Sequence, residues 1–481
     1  MNKLLSKYRE FPAPVKASFW FVIANVLTKG ISFITLPIFS RILTTSEYGV
    51  TSVYYSWVSI ISILSTLTVW GGVFNIAMVN YPDQKNKIIS SFQGLAVTIT
   101  IGFFAVALIF LNPVSKIFGL PKILTIAVFI EILAQIPYNL WTSRQRFEYK
   151  YKATIAVSII STIANPLFGY FAVISATHKA EARVLVGVAV QLIIGMICFI
   201  TNEIKGHNFF DKELWSFAAK FNIVLVPHYL AMQVLNQSDR LMINRMCGSS
   251  DAGIYSVAYN FAMLLTLITT GINSSFTPYI YQSIKNNNEK RLAKQANGVV
   301  LIIAIMALAL ICIVPDVFKW MLPESYYPAI WVIPPVTAGA FFMFLYPLFG
   351  SVEFYYKENR YVTAASLVGA VANIILNYIF IKIFGFIAAA YTTLACYALF
   401  SICHYIFMKK VLIKNGIDSI PYDMKTITVI SIAVIIISIA MTVLYNNSYV
   451  RWGVIVMLLV SCFAYRRKII ETIQSIMKKG Q

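Results

Sequence analysis

Charged residues are what this sequence has least of. They occupy 12% of its 481 positions, and Asp and Glu together number 19. A soluble domain carries about a quarter charged residues, so a water-facing surface of ordinary composition is excluded. Histidine is scarce too. The four present (His178, His207, His228 and His404) have no partner at metal-ligand spacing, so no metal site is expected. The six cysteines (Cys198, Cys247, Cys312, Cys396, Cys403 and Cys462) fall mostly inside apolar runs without a CxxC pair, and read as small core residues. P-loop, HExxH and nucleophile-elbow motifs are missing, and no outer segment is long enough for a soluble catalytic domain. Neither an enzyme nor a cofactor is therefore expected.

Hydrophobic residues, at 59%, take up the difference. A helix needs about 20 mostly apolar residues to cross a hydrocarbon layer roughly 30 Å thick. Fourteen stretches qualify: 15–39, 48–72, 88–111, 122–142, 152–175, 182–204, 215–238, 252–277, 296–314, 328–350, 361–384, 386–408, 426–445 and 449–465. A stretch such as TIAVSIISTIANPLFGYFAVIS (Thr154 to Ser175) lacks the strict alternation of a barrel strand. The expected fold is an all-α polytopic membrane protein with about 14 transmembrane helices. No cleavable signal peptide is visible, so the first span is expected to act as its own insertion signal.

The net charge of +20 is explained by where the cations fall. With the N-terminus placed in the cytoplasm, 28 of the 39 Lys and Arg lie in cytoplasmic segments, ten lie outside and Lys29 lies within a span. That bias fits the positive-inside rule with both termini cytoplasmic. The basic excess is read as a topology signal with contacts to anionic membrane lipids, and no nucleic-acid partner is expected.

The chain also repeats itself. SRILTTSEYGVTSVYY from Ser40 aligns with NRMCGSSDAGIYSVAY from Asn244 at a shift of 204 residues, pairing Arg41 with Arg245, Gly49 with Gly253 and Tyr55 with Tyr259. AVSIISTIANPLFGY from Ala156 aligns with AASLVGAVANIILNY from Ala364 at a shift of 208, pairing Asn165 with Asn373. Six spans per half is an even number, so the two copies share one orientation. The expected organisation is a six-helix bundle over 1–210 and a second over 211–415, parallel to one another around a central cleft, with two further helices and a tail over 416–481. Ser46 and Ser250 suit helix N-caps, and the two glycines suit a tight turn or a close helix contact. Two readings of the motif stay open: a structural turn, or a turn whose Arg41 and Arg245 also flank an outer mouth.

Ionisable groups inside a bilayer are costly and are candidates for function. Lys29 shares a helix face with Asn25 and Ser32, and either lines a cavity or snorkels to the surface. Glu131, with Gln135 and Asn139 at four-residue steps, forms a second polar stripe; it either pairs with Lys29 or binds a proton or cation itself. Asp239 and Arg240 sit side by side in the seventh span, as a mutual salt bridge or with Arg240 free to meet an anion. The cluster RQRFEYKYK, with Arg144 and Arg146, is either a topology signal or a cytoplasmic phosphate entrance, because arginine forks match phosphate oxygens.

LPIFSRILTTSEYG after the first span and DRLMINRMCGSSDAGIYSVAY in the seventh-to-eighth region resemble the bacterial polysaccharide (O-antigen) flippase family. That family belongs to the multidrug/oligosaccharidyl-lipid/polysaccharide exporter superfamily, and the likeness covers nearly the whole chain. It implies a flippase carrying undecaprenyl-pyrophosphate-linked oligosaccharide units across the bacterial inner membrane by alternating access, alongside polysaccharide polymerase machinery. It implies fixed cations such as Lys29 and Arg240 for the diphosphate, and proton or sodium coupling through Glu131 or Asp239. A cation-coupled multidrug antiporter and a lipid II flippase are the alternatives within the superfamily. Cys247-Gly248 departs from the more apolar pair of its relatives.

Overall fold

The structure, a computed structural model, describes residues 12–286, 288–417 and 419–464. The basic residues Lys3, Lys7 and Arg9 and the tail cations from Arg466 onward, which carry part of the charge bias, lie outside the described residues, as does the side chain of Cys462. The described elements are helical, with no strand among them. The first nine are α1 (Ala13–Ile42), α2 (Thr45–Thr66), α3 (Gly72–Asn80), α4 (Lys85–Ile109), α5 (Leu111–Phe118), α6 (Lys122–Phe147), α7 (Tyr151–Ser175), α8 (Lys179–Gly206) and α9 (Lys212–Met246). They are followed by α10 (Ser249–Ala262), α11 (Leu264–Lys285), α12 (Glu289–Met321), α13 (Ile333–Tyr355), α14 (Asn359–Phe384), α15 (Ala388–Lys414), α16 (Met424–Leu444) and α17 (Ser448–Ala464). Without water in hydrocarbon, every backbone N–H must find a partner in its own segment, and helices satisfy that demand.

Twelve helical stretches among the described residues are long and apolar enough to cross a membrane, against the fourteen expected. Both missing spans exist as helices. α2 is long enough, but Thr51, Ser52, Tyr54, Tyr55, Ser56, Ser59 and Ser62 dilute its apolar character. α17 is apolar but has only 17 residues.

The repeated motif begins helices rather than forming an extended turn. In the first copy the cap is Thr44, not Ser46: its hydroxyl accepts from the Glu47 N–H while the Glu47 carboxylate accepts from the Thr44 N–H, a reciprocal capping box. In the second copy the equivalent place is Gly248, at φ 101°, a conformation that suits glycine, and Ser250 lies inside α10. Gly49 and Gly253 are buried within their helices, which rules out the tight turn.

Two compact units divide the chain, Met1–Gln233 and Val234–Gln481, with the boundary inside α9. In the first unit, α8 is set tightly against α4 and α6. A Cβ on Gly195 would lie 2.3 Å from the Ala134 carbonyl oxygen, and one on Gly94 would lie 1.9 Å from that of Phe209. Glu203 on α8 accepts hydrogen bonds from Ser90 and Gln93 of α4, each at 2.6 Å. In the second unit, α16 and α17 are bound to the helices before them through polar side chains. Tyr445 donates to the Ile311 carbonyl and Ser438 to that of Pro334, both at 2.8 Å. Arg451 is buried in α17. It grips both carboxylate oxygens of Asp316 at 2.9 Å.

Candidate functional site

The second unit holds a buried acid. Asp239 on α9 is fully covered, and its carboxylate is met by four neutral donors from three other helices. Tyr255 on α10 donates at 2.7 Å, Thr393 on α15 at 2.6 Å, Asn377 on α14 at 2.6 Å, and Asn373 on α14 at 3.2 Å. A second layer orients the donors: Ser238 donates to the Asn373 carbonyl at 2.5 Å, and Thr392 donates to that of Asn377. A carboxylate accepts about four hydrogen bonds, so this one is saturated by neutral donors, and it forms no ion pair among the described residues.

Arg240, the next residue, does not pair with Asp239. Successive helix residues point about 100° apart, and this guanidinium turns back along its own helix. It donates to the Asn236 carbonyl at 2.8 Å and to Gln237 Oε1 at 2.9 Å, and lies 4.3 Å from the centre of the Tyr259 ring. Tyr259 and Tyr397 share a hydroxyl contact of 2.9 Å, and Tyr397 donates to Asn236 Oδ1 at 2.8 Å. Arg240 is 7% exposed and forms no ion pair among the described residues. A mutual salt bridge is thus excluded in this structure, and a nearly buried cation remains with neutral neighbours.

The first unit carries a looser counterpart. Glu131 on α6 accepts from Tyr54 of α2 at 2.7 Å and from Gln135 at 3.0 Å, and it does not pair with Lys29. Glu131 is buried, whereas Gln135 and Asn139 on the same stripe are half-buried. Nearby, Arg183 on α8 donates to Asn165 of α7 at 2.6 Å and sits 4.3 Å above the Phe39 ring of α1. Gly187, one turn along α8, leaves the space in which the Asn165 amide and the Tyr55 hydroxyl meet: a Cβ there would stand 3.0 Å and 3.2 Å from them.

The other candidates lie apart from these clusters. Lys29, Asn25 and Ser32 are all exposed along α1. Their face is polar as expected, but nothing in the first unit covers it. Arg41 and Arg245 are exposed in the last turns of α1 and α9. Arg144 is engaged by Glu148 at 3.0 Å, and Lys150 joins the same carboxylate at 2.6 Å. Partial burial works to raise the Glu148 carboxyl, yet the hydrogen bonds and charges of Lys150 and Arg144 hold it below its ordinary value. Arg146 is exposed, 5.8 Å from the Phe21 ring. The residues missed in the sequence are mainly hydroxyl donors and one cation: Tyr54, Tyr255, Thr392, Thr393 and Arg183. Tyr255 lies inside the repeated motif, which was a usable signal; the threonines gave none.

A family model described as polysaccharide biosynthesis protein matches residues 15–284, and a second, MatE, matches residues 225–379. The chain is 22% identical to Lsg locus putative protein 1 of Haemophilus influenzae, over 74% of this chain and 88% of that one. It is also 22% identical to the probable low-salt glycan biosynthesis flippase Agl15 of Haloferax volcanii, over 81% of this chain and 82% of that one. Among solved structures, its fold is similar to that of the lipid II flippase MurJ. The TM-score is 0.64 at 16% identity, over 93% of this chain and 99% of the other.

Proposed function

Because this chain belongs to the polysaccharide biosynthesis protein family, we propose that it flips undecaprenyl-pyrophosphate-linked oligosaccharide units from the cytoplasmic to the outer leaflet of the bacterial inner membrane. The products would be built into O-antigen, capsule or exopolysaccharide, alongside a polymerase. In this reading bundles over 1–210 and 211–415 rock about a central cleft in alternating access, and the helices within 416–481 are an addition. Both termini face the cytoplasm.

The observation that carries the reading is Arg240. Moving one charged group from water into a medium of low dielectric costs on the order of 20 kcal/mol in the ideal limit, and a diphosphate carries about two charges. A path for it needs fixed cations that are not already neutralised, and Arg240 is nearly buried without an acid. Its planar fork suits phosphate oxygens. Lys29 is exposed and supplies a second cation, Arg41 and Arg245 extend the cationic surface, and Asn25 adds a neutral amide beside Lys29. The cytoplasmic cluster keeps Arg146 exposed for a phosphate entrance, while Arg144 is held by Glu148. Asp239 and Glu131 are the groups proposed to couple flipping to a proton or sodium gradient.

The decisive test is complementation of a flippase-null strain, scored for surface polysaccharide. Lys29→Ala and Arg240→Ala should each abolish it at normal protein level. Normal export by both variants overturns the cationic path. The MatE match over 225–379, with the buried Asp239 and its neutral donors inside it, favours a second reading as a cation-coupled multidrug antiporter. Drug resistance conferred without rescue of polysaccharide would select that reading, and rescue of a lipid II flippase mutant would select the other relative.

A further inference from the structure

Glu353 on α13 and His404 on α15 face one another in the second unit, with Oε1 and Nδ1 2.8 Å apart. Both side chains are fully covered. The outer atoms of the pair, Glu353 Oε2 and His404 Nε2, are buried without any hydrogen-bond partner. Aromatic rings close the pocket: Tyr346 and Phe400 lie 4.5 and 4.6 Å from the imidazole between ring centres. His404 is eleven residues beyond Thr393 on α15, about 16 Å along the helix at 1.5 Å per residue, so the pair is separate from the Asp239 cluster.

No neighbour neutralises it. Glu353 is the one charged residue of α13, and α15 adds only Lys409, Lys410 and Lys414 towards its end. The other packed elements offer Asp239, Arg240 and Arg245 on α9, Asp251 on α10, Lys285 on α11, Glu289, Lys290, Arg291, Lys294, Asp316 and Lys319 on α12, Glu324 before α13, Arg360 and Lys382 on α14, and Asp423 with Lys425 at the start of α16. Lys414 and Arg360 are taken by Glu358, Asp316 by Arg451, and Asp423 by Asn297 and Thr426. Among the described residues none of these forms an ion pair with Glu353 or His404.

An unpaired charge in such a pocket is expensive, whereas a pair sharing one proton is neutral overall. With no shared proton the pair is left with a net negative charge in the pocket, and with two it is left with a net positive one. We propose that Glu353 and His404 form a proton-binding site, which closes around a single shared proton between Oε1 and Nδ1. Opened to water, the two groups revert to ordinary values of about 4.3 and 6.5. Above pH 6.5 the open pair therefore holds no proton, and closing takes one up. The closed state is favoured below neutrality and weakens as pH rises. As a coupling device this deepens the transport reading, but the site itself does not depend on it.

The test uses the purified full chain in nanodiscs without substrate, so that it stands apart from any flipping assay. From pH 7 to 9 the closed-to-open equilibrium at α13 and α15 should fall tenfold per pH unit, the signature of one proton, read by amide exchange corrected for its intrinsic rate. Glu353→Gln keeps the size and an acceptor for the imidazole N–H, so a merely structural contact would survive with its pH dependence intact. Under the proposal that variant, and Glu353→Gln/His404→Gln, lose the slope while keeping protection at pH 7. A slope in Glu353→Gln equal to wild type, or protection in wild type that is flat from pH 7 to 9, overturns the site.

Discussion

Asn165 and Asn373 occupy the same place in the two copies of the repeat and turn opposite ends of their amides to opposite charges. Asn165 accepts from Arg183 through its carbonyl oxygen at 2.6 Å, whereas Asn373 donates through its amide nitrogen to Asp239 at 3.2 Å. An amide offers both an acceptor and donors, so one residue type serves a cation in the first unit and an anion in the second. The repeat keeps the side chain at this place while its electrostatic surroundings differ.

The divergence predicts opposite outcomes for one substitution. Asn165→Asp would give Arg183 a charged partner, leaving thermal stability unchanged or slightly raised while cancelling a cation. Asn373→Asp would set a second carboxylate against Asp239 in a buried site. Uncompensated buried charge costs roughly 3–5 kcal/mol, so that variant should melt far lower or fail to accumulate. Thermal unfolding of the two variants in nanodiscs checks the sign; equal destabilisation would show that the two sites are not electrostatically distinct.

Asp239→Asn should separate coupling from transport. Replacing a carboxylate oxygen by an amide nitrogen turns donors against a donor, at a cost of about 1–3 kcal/mol for the unsatisfied contact. The variant should still fold. In proteoliposomes it should retain basal flipping but lose its response to an imposed sodium or proton gradient. Glu131→Gln supplies the comparison in the first unit, where Tyr54 still finds an acceptor. If both variants respond to the gradients like wild type, neither acid is the coupling group.

How much of this was legible follows from what each residue's signal depends on. Helices, their order and the repeat are written in composition and local spacing, and Glu131, Asp239 and Arg240 stood out because ionisable residues are rare in such a chain. Partners are another matter. Glu131 with Lys29, and Asp239 with Arg240, were reasonable pairs by charge, yet each acid is met by neutral donors from distant helices, Tyr54 in one case and Tyr255, Asn373, Asn377 and Thr393 in the other. Hydroxyl and amide groups are common in apolar helices, and only packing selects which of them face an acid. Arg183 and Arg451 lie near helix ends, where sequence cannot tell a covered turn from an exposed one.

Asp211 predicts a defined acid response at the entry to α9. Its carboxylate accepts from the Leu214 N–H at 3.0 Å and pairs with Lys87 at 2.7 Å, and these contacts hold it well below the usual carboxylate range, at about 2. A depressed value in the folded state means the contribution is complete above the unfolded value of about 3.9 and is lost as pH falls towards 2. Asp211→Asn keeps an oxygen for the cap but loses the charge that faces Lys87 and the start of α9, and should therefore cost about 0.3–1 kcal/mol, by the same amount from pH 8 to pH 5. The gap from wild type should close below pH 4. A gap that widens towards acid would contradict the assignment.

Gly94 makes the last prediction, because its site leaves no room for even a methyl group. The Cβ of Gly94→Ala would lie 1.9 Å from the Phe209 carbonyl oxygen, which is backbone and cannot swing aside as a side chain would. Either α4 or the segment joining α8 to α9 must move, and that segment carries Asn208 and Asp211 with their contacts to Ser90 and Lys87. Overpacking of this kind costs typically 1–3 kcal/mol and sometimes more. Gly102, two turns further along α4, is the control: nothing stands within 4 Å of its Cβ position, and alanine there should be neutral or stabilising by up to about 1 kcal/mol. Melting temperatures of Gly94→Ala and Gly102→Ala, measured side by side, should move in different directions. If Gly94→Ala is tolerated as well as Gly102→Ala, then α4 and the α8–α9 junction do not pack as closely as these contacts require.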